Sequence, residues 1–339
     1  MSPTHHGPIK IVHSVVDQQE LGKAIQQRWG LAEPFQCELL TRGMNDVYLL
    51  RSGTEKFAAR VWRAGVQTQA RVTWEIQFLN HLKARGLPVV VALPDRNGDY
   101  TFSLDAPEGV RQVCLFEWAE GRDFAVVPNA DRAERLGRLV GQVNVAGHDF
   151  KPATRRPIDF ATTEIRNNVW ASQMRLFGRP DAELKFYADI SEKIAAGLDA
   201  VYARGVPYGP IHGDVHALNA FVDDADRIRL FDFDTCGEAH YAHDLVSFIW
   251  ANKIFYDNRG MKGLNAEVNA AYQAGYEAVR PLQPIERDNL PLFMAAKEIS
   301  NMNSMASVGR YVGHLSYNAR VFDWYAKSVR QHAEEAGLI

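Results

Sequence analysis

Along the chain the apolar positions change period near residue 120. Before it they alternate in short runs; after it they recur every three or four residues, the spacing of helix faces. Residues 17–29, "DQQELGKAIQQRW", predict a helix capped by Asp17. "FQCELL", "DVYLL" and "KFAARVW" predict short strands separated by Gly-containing turns. "TWEIQFLNHLKARG" places Trp74, Phe78 and Leu82 four apart and then stops at Gly86 and Pro88, which predicts an amphipathic helix. "DYTFSL" and "VRQVCLFEW" predict two more strands, and "VVVAL" at 89–93 is a strand-sized run. After Gly121, residues 130–147 carry Leu136, Leu139, Val140 and Val143 at helical spacing. Helices are also predicted over 159–175, 181–205, 241–252, 265–279, 290–308 and a final segment to 335, with only 219–233 interrupting them. The expected fold class is α+β: a small β-rich N-terminal lobe (1–120) and a large helical C-terminal lobe (121–339). The crossing falls near 117–121, the kind of seam that active sites favour.

A length of 339 residues agrees with two lobes, because single cores stop growing at about 250–300 residues. The 46% hydrophobic and 23% charged content is that of a soluble globular protein. A net charge of −3 gives no electrostatic footprint for nucleic acid. No run approaches the ~18 apolar residues of a membrane helix, so no membrane partner is expected. "MSPTHHGPIK" has no apolar leader core. Cys37, Cys114 and Cys236 are odd in number and far apart, which predicts reduced thiols and a cytoplasmic protein.

The densest chemistry lies at 211–219, "IHGDVHALN", followed by "LFDFD" at 230–234. "DDADR" between them is a turn cluster flanked by strand-like residues. Pairing Val222 with Ile228 sets Asn219 opposite Phe231, one step from Asp232. Asp214, Asn219 and Asp232 then converge as hard oxygen donors, which suit Mg²⁺ better than Zn²⁺. Phosphoryl transfer needs this set: a carboxylate for the acceptor hydroxyl's proton, an Asn a few residues on, and a later metal-binding Asp.

"HGDVHALN…LFDFD" resembles the motif HGDxHxxN…(I/F)DFD of the aminoglycoside phosphotransferase and choline kinase superfamily. "LFDFDTCGEAHYAHDLVSFIW" is most similar to the branch that contains stress response kinase A and type II homoserine kinases. The resemblance spans roughly residues 35–330 and implies a protein-kinase-like bilobal fold that uses ATP and Mg²⁺. It implies that Asp214 is the catalytic base, that Asn219 and Asp232 hold Mg²⁺, and that Asp244 braces the catalytic loop. Asp234 is then a second metal contact or a capping residue, and His216 a substrate contact or scaffold. His212 is expected to be a buried ring that fixes the loop. Asp223, Asp224 and Asp226 are expected to form a solvated turn, and Cys236 to be a bystander.

The same resemblance makes demands upstream. "LLTRGMNDVYLL" is the strand–turn–strand that covers phosphates, with Gly43 and Asn45 at the turn. The usual third-strand lysine is replaced by Arg60, a bulkier cation that cannot deprotonate, with Lys56 as the fallback. Glu75 is its expected partner. In "LFEWAEG" the backbone of Glu117 and Ala119 is expected to meet adenine.

Four functions fit to different degrees. The leading one is a Mg²⁺- and ATP-dependent transfer to a hydroxyl of a small molecule: an amino alcohol, a sugar or an antibiotic-like acceptor. The alternative is a protein Ser/Thr kinase of the stress response type. A silent nucleotide-binding module has no use for the trio Asp214, Asn219 and Asp232. A zinc hydrolase built on His212, His216, His240 and His243 leaves Asn219 without a task. The helices at 159–175 and 290–308 are candidate acceptor walls, with Glu298, Asn301 and Asn303 facing an acceptor or water. Nothing in the sequence fixes the oligomeric state.

Overall fold

The computed structural model describes residues 9–312 and 319–339, the side chains of 308–322 apart. Residues 1–8, part of the stretch searched above for a leader core, lie outside the described residues. Contacts divide the chain into two units, one holding residues up to 76 with 91–118 and one holding 77–90 with 119–339.

The first unit begins with helix α1 (Gln18–Trp29), whose first amides donate to the Asp17 cap at 2.9 Å. Strands β1 (Phe35–Arg42), β2 (Asn45–Ser52) and β3 (Glu55–Trp62) follow. Helix α2 (Gln69–Ala84) precedes β4 (Thr101–Ala106) and β5 (Gly109–Glu117). The strands form one antiparallel sheet in the order β1-β2-β3-β5-β4. Alternation along β2, β3 and β5 puts Tyr48, Leu50, Ala59, Val61, Val113 and Leu115 in one buried cluster, which α1 joins with Leu21 and Ile25. The apolar run at 89–93 forms only isolated bridges, Ala92 to Phe116 here and Val89 to Leu230 in the second unit. Pro88 and Pro94 bound it, and proline cannot donate to a ladder.

The second unit contains β6 (Arg122–Asp123), α3 (Ala130–Gly147), α4 (Trp170–Leu176) and α5 (Asp181–Tyr202). Strands β7 (Tyr208–Ile211), β8 (Ala220–Val222), β9 (Ile228–Leu230) and β10 (Gly237–His240) follow. The rest is helical: α6 (Ala242–Asn258), α7 (Ala266–Val279), α8 (Pro284–Arg287), α9 (Leu290–Val312) and α10 (Ala319–Glu335). Strands β6, β7 and β10 are two to four residues long, too short for a period to register in the sequence. The helix expected over 159–175 is broken: a π-helical turn, Phe160–Ile165, is separated from α4 by Asn168 at φ 49°. Asn tolerates that left-handed conformation, and the restart is fixed by Trp170 N–H donating to Asn303 Oδ1 at 3.0 Å. Among the described residues no helix is long and apolar enough to cross a membrane.

Helices α3 and α7 cross through glycine. A Cβ on Gly275 would sit 1.9 Å from the Glu134 carbonyl, and one on Gly137 1.9 Å from that of Tyr272. Gly275→Val is expected to cost about 1–3 kcal/mol or more, because backbone must move to admit it. A lowered urea midpoint at unchanged slope would show this; an unchanged midpoint would show that the helices part freely.

Candidate active site

The hairpin register follows the expectation: Val222 pairs with Ile228 and Ala220 with Leu230, and Phe231 N–H donates to the Asn219 carbonyl at 3.1 Å. The acidic turn is solvated as expected, with Asp224 exposed, and Asp226 adds ion pairs with Arg132 at 2.6 Å and Arg135 at 2.5 Å, both from α3. Its φ of 61° and the Asp223 side chain, which accepts from Ala225 and Arg227 amides, shape the turn.

The loop from β7 to β8 is held from beneath by Asp244, on the first turn of α6 and fully buried. Its Oδ1 accepts from Gly213 N–H at 2.8 Å, and its Oδ2 from His212 N–H and Asn144 Nδ2, each at 2.9 Å. Asn144 is oriented in turn by the Tyr276 hydroxyl at 2.7 Å. Gly213, at φ 88°, leaves no room for a side chain: a Cβ would lie 2.6 Å from the Thr235 carbonyl. His212 is the fixing ring anticipated. Its Nδ1 accepts from Asp214 N–H at 3.3 Å, which leaves Nε2–H to donate to the Phe231 carbonyl at 3.0 Å. Burial lowers its proton affinity, which suits this neutral bridge between the two motifs.

Asp214 sits on that loop with its side chain 35% exposed. Lys297 Nζ, from α9, lies 3.0 Å from Oδ1, and His216 Nε2 lies 3.5 Å from Oδ2. Because His216 Nδ1 accepts from Leu218 N–H at 3.1 Å, Nε2 carries the proton that faces Asp214. Burial pushes the Asp214 carboxyl up, but Lys297 and then His216 outweigh it and hold the group well below the usual carboxylate range. Asn219 Nδ2 donates to the Asp214 carbonyl at 2.9 Å, which fixes which way the amide faces. Asp232 is partly exposed at φ 61°, a conformation rare outside glycine and concentrated at functional sites. The carbonyl of Asp234 accepts from Arg156 at 2.6 Å.

In the first unit, Arg60 and Glu75 form a buried pair at 2.7 Å. The guanidinium also lies 4.6 Å from the Phe116 ring and 5.5 Å from that of Trp62. Lys56, the fallback cation, lies over Trp118 at 5.9 Å. Gly43 and Asn45 flank the β1–β2 turn, where Arg63 donates to the carbonyls of Gly43 and Met44. The Glu117 N–H is engaged by the Val91 carbonyl at 3.1 Å, and Ala119 is buried.

The phosphotransferase enzyme family matches residues 38–282. The chain belongs to that family. A protein of Deinococcus radiodurans is 30% identical over 336 residues, 96% of this chain and 93% of its own length. A homoserine kinase of Methylobacterium radiotolerans is 30% identical over 222 residues, 64% of this chain and 63% of its own. Among solved structures, an amicoumacin kinase complexed with AMP-PNP and Ca²⁺ gives a TM-score of 0.72 at 15% identity, covering 94% of each chain. A microcompartment-associated aminopropanol kinase gives 0.70 at 20% identity, covering 95% of this chain and 97% of its own. These likenesses establish the fold, with a sheet-rich N-terminal region and a helical C-terminal region.

For a phosphotransferase the four histidines have better uses than zinc. His243 stacks on Phe160 at 3.7 Å and meets the Tyr202 hydroxyl at 2.7 Å; His240 stacks on Tyr202 at 3.7 Å. Among the described residues no three His, Cys, Asp or Glu are grouped to hold a metal. The polar residues of α9 are corrected as well. Glu298 is buried against His332 at 3.1 Å, and Asn303 donates to the Glu164 carbonyl at 2.7 Å, so neither faces water. Cys236 is buried beside Arg156. Sequence reasoning missed Lys297, Asn144 and Asp123. Lys297 and Asn144 each fall in line with buried apolar residues of their helices, Phe293 with Lys297 and Val140 with Asn144, so each is a polar residue on an apolar stripe. Asp123 pairs with Phe221 in the β6–β8 ladder; burial pushes its carboxyl up, against the opposing pull of His216.

Proposed function

We propose that the protein transfers the γ-phosphoryl group of ATP, with Mg²⁺, to the hydroxyl of a small amino alcohol or hydroxy amino acid. The observation that carries this reading is the Asp214 carboxylate, held on a braced loop, joined through its own backbone to Asn219 and through His212 to Phe231, the residue before Asp232. Asp214 receives the proton of the acceptor hydroxyl. The acceptor oxygen bonds to the γ-phosphorus as the bond to the ADP oxygen breaks, and the proton then leaves to solvent.

Asn219, Asp232 and Asp234 would hold Mg²⁺. The fit rests on donor chemistry: all are hard oxygen ligands, and the bond from Asn219 Nδ2 to the Asp214 carbonyl takes up the amide nitrogen and leaves the oxygen to serve as a ligand. When bound, the ion neutralises and aligns the β- and γ-phosphates. Arg60, oriented by Glu75, is the phosphate cation, and Gly43 and Asn45 form the turn over the phosphates. The backbone of Glu117 and Ala119 meets adenine. His216 contacts the acceptor. Asp123, half-buried near His216 and forming no ion pair with lysine or arginine among the described residues, suits an ammonium group. The homoserine kinase and aminopropanol kinase among the similar proteins support this acceptor class.

The test is ATP labelled at the γ-position, incubated with amino alcohols, hydroxy amino acids, sugars and a protein extract in parallel. Label is expected on an amino-bearing alcohol and is expected to vanish with EDTA and in Asp232→Ala. Label only on extract proteins, or undiminished by EDTA, would refute the assignment.

A further inference from the structure

Lys297 is a buried ammonium that the catalytic motif does not account for. It arrives from α9, 83 residues beyond Asp214. Only 6% of it is exposed, and lysine is almost never buried unless paired. Its Nζ donates to Asp214 Oδ1 at 3.0 Å, approaches the Gly213 carbonyl at 3.5 Å and lies 5.8 Å from the Trp250 ring. Its stem is held by its helix: the flanking Ala295, Ala296 and Ile299 are fully buried, and α9 packs on α4, α5, α6 and α10.

An aspartate on an irregular loop has two torsions and two equivalent oxygens. The ammonium on Oδ1 removes that freedom, while the parallel contact to the Gly213 carbonyl ties the carboxylate to its own backbone. Oδ2 is left facing His216 at 3.5 Å, the edge of hydrogen-bond range, with lone pairs to spare. We infer that Lys297 is a positioning residue for phosphoryl transfer: it anchors Oδ1 of Asp214 so that Oδ2 is the oxygen that takes the acceptor's proton. The inference rests on the kinase reading above. Positioning of this kind matters because misplacement by about 1 Å costs roughly 10²-fold in rate.

Lys297→Met keeps the length of the stem and removes the charge. With ATP and an amino alcohol mixture, its kcat for ADP release is expected to fall roughly 10²-fold. Calorimetric affinity for ATP is expected to stay within about threefold, because the anchor does not act on the bound nucleotide. In an Asp214→Asn background the same substitution is expected to cost at most about twofold more, since groups acting as a unit are not additive. A lysine that only supports the helix would instead cost the same in both backgrounds. Lys297→Cys alkylated with 2-bromoethylamine, which rebuilds the amine, is expected to recover turnover. Should Lys297→Met not fold, Lys297→Gln takes its place in the cycle. Full turnover without the amine, or additive losses in the double variant, overturns the inference. A wild-type protein that releases no ADP with any hydroxyl acceptor, water included, overturns the kinase reading and this role with it.

Discussion

Turnover by Asp214→Asn is expected to fall roughly 10²–10⁴-fold, the range that a positioned proton acceptor contributes. The asparagine keeps the size of the side chain and one oxygen for Lys297, so the loop need not move. It loses the charge that receives the proton and leaves the Lys297 ammonium, 3.0 Å away, without its counter-ion. A modest fall in melting temperature is therefore expected beside the large fall in kcat. ATP affinity is expected to hold, because the proposed role sets the carboxylate against the acceptor rather than the nucleotide. Calorimetry and steady-state kinetics on one preparation separate the two effects. An Asp214→Asn protein that turns over normally, or loses ATP binding and activity together, would remove Asp214 from the catalytic role.

The lowered proton affinity of Asp214 bears on how it acts. A carboxylate held well below its usual range is a weak base and does not strip an alcohol in advance. In the proposed mechanism it takes the proton as the new bond forms, which suits a loose phosphoryl transition state in which little charge builds on the nucleophile. It also gives the proton up readily afterwards.

What the sequence made legible was local. The hairpin register could be predicted because "DDADR" is a strong turn and the flanking residues are β-branched or aromatic, so that Val222 and Ile228 had one plausible pairing. Asp17 could be placed as a cap because its side chain serves its own helix. What escaped were partners far apart in the chain. Lys297 meets Asp214 from 83 residues away, and Asn144 meets Asp244 from 100. Nothing in a helical period says which buried polar residue will find which other; the signal was only that each falls on the apolar stripe of its helix. The acidic turn faces water as its composition says, but its two arginine partners on α3 are again distant in the chain. The break at Asn168 is likewise decided by a tertiary bond, from Trp170 to Asn303, that outweighs the local preference for an unbroken helix.

Asp244 carries the second large prediction, in stability rather than chemistry. It is fully buried and serves three donors with two oxygens: Gly213 N–H on Oδ1, His212 N–H and Asn144 Nδ2 on Oδ2. Asp244→Ala orphans all three, and a buried donor left without a partner costs about 1–3 kcal/mol. The sum, on the order of 3–9 kcal/mol, is a large fraction of the stability of a typical domain. Asp244→Asn is expected to do almost as much harm although it is isosteric. Whichever way its amide turns, an NH₂ group meets a backbone N–H of Gly213 or His212, donor against donor. Both variants are thus expected to melt well below the wild type, and the amides of residues 212 and 213 to lose hydrogen-exchange protection before those of the β2–β3 ladder. Activity should fall with stability, unlike Asp214→Asn, because the loop that carries Asp214 is released. If Asp244→Asn melts with the wild type and keeps those amides protected, the loop is held by His212 and Phe231 alone, and the bracing role passes from Asp244 to the imidazole bridge.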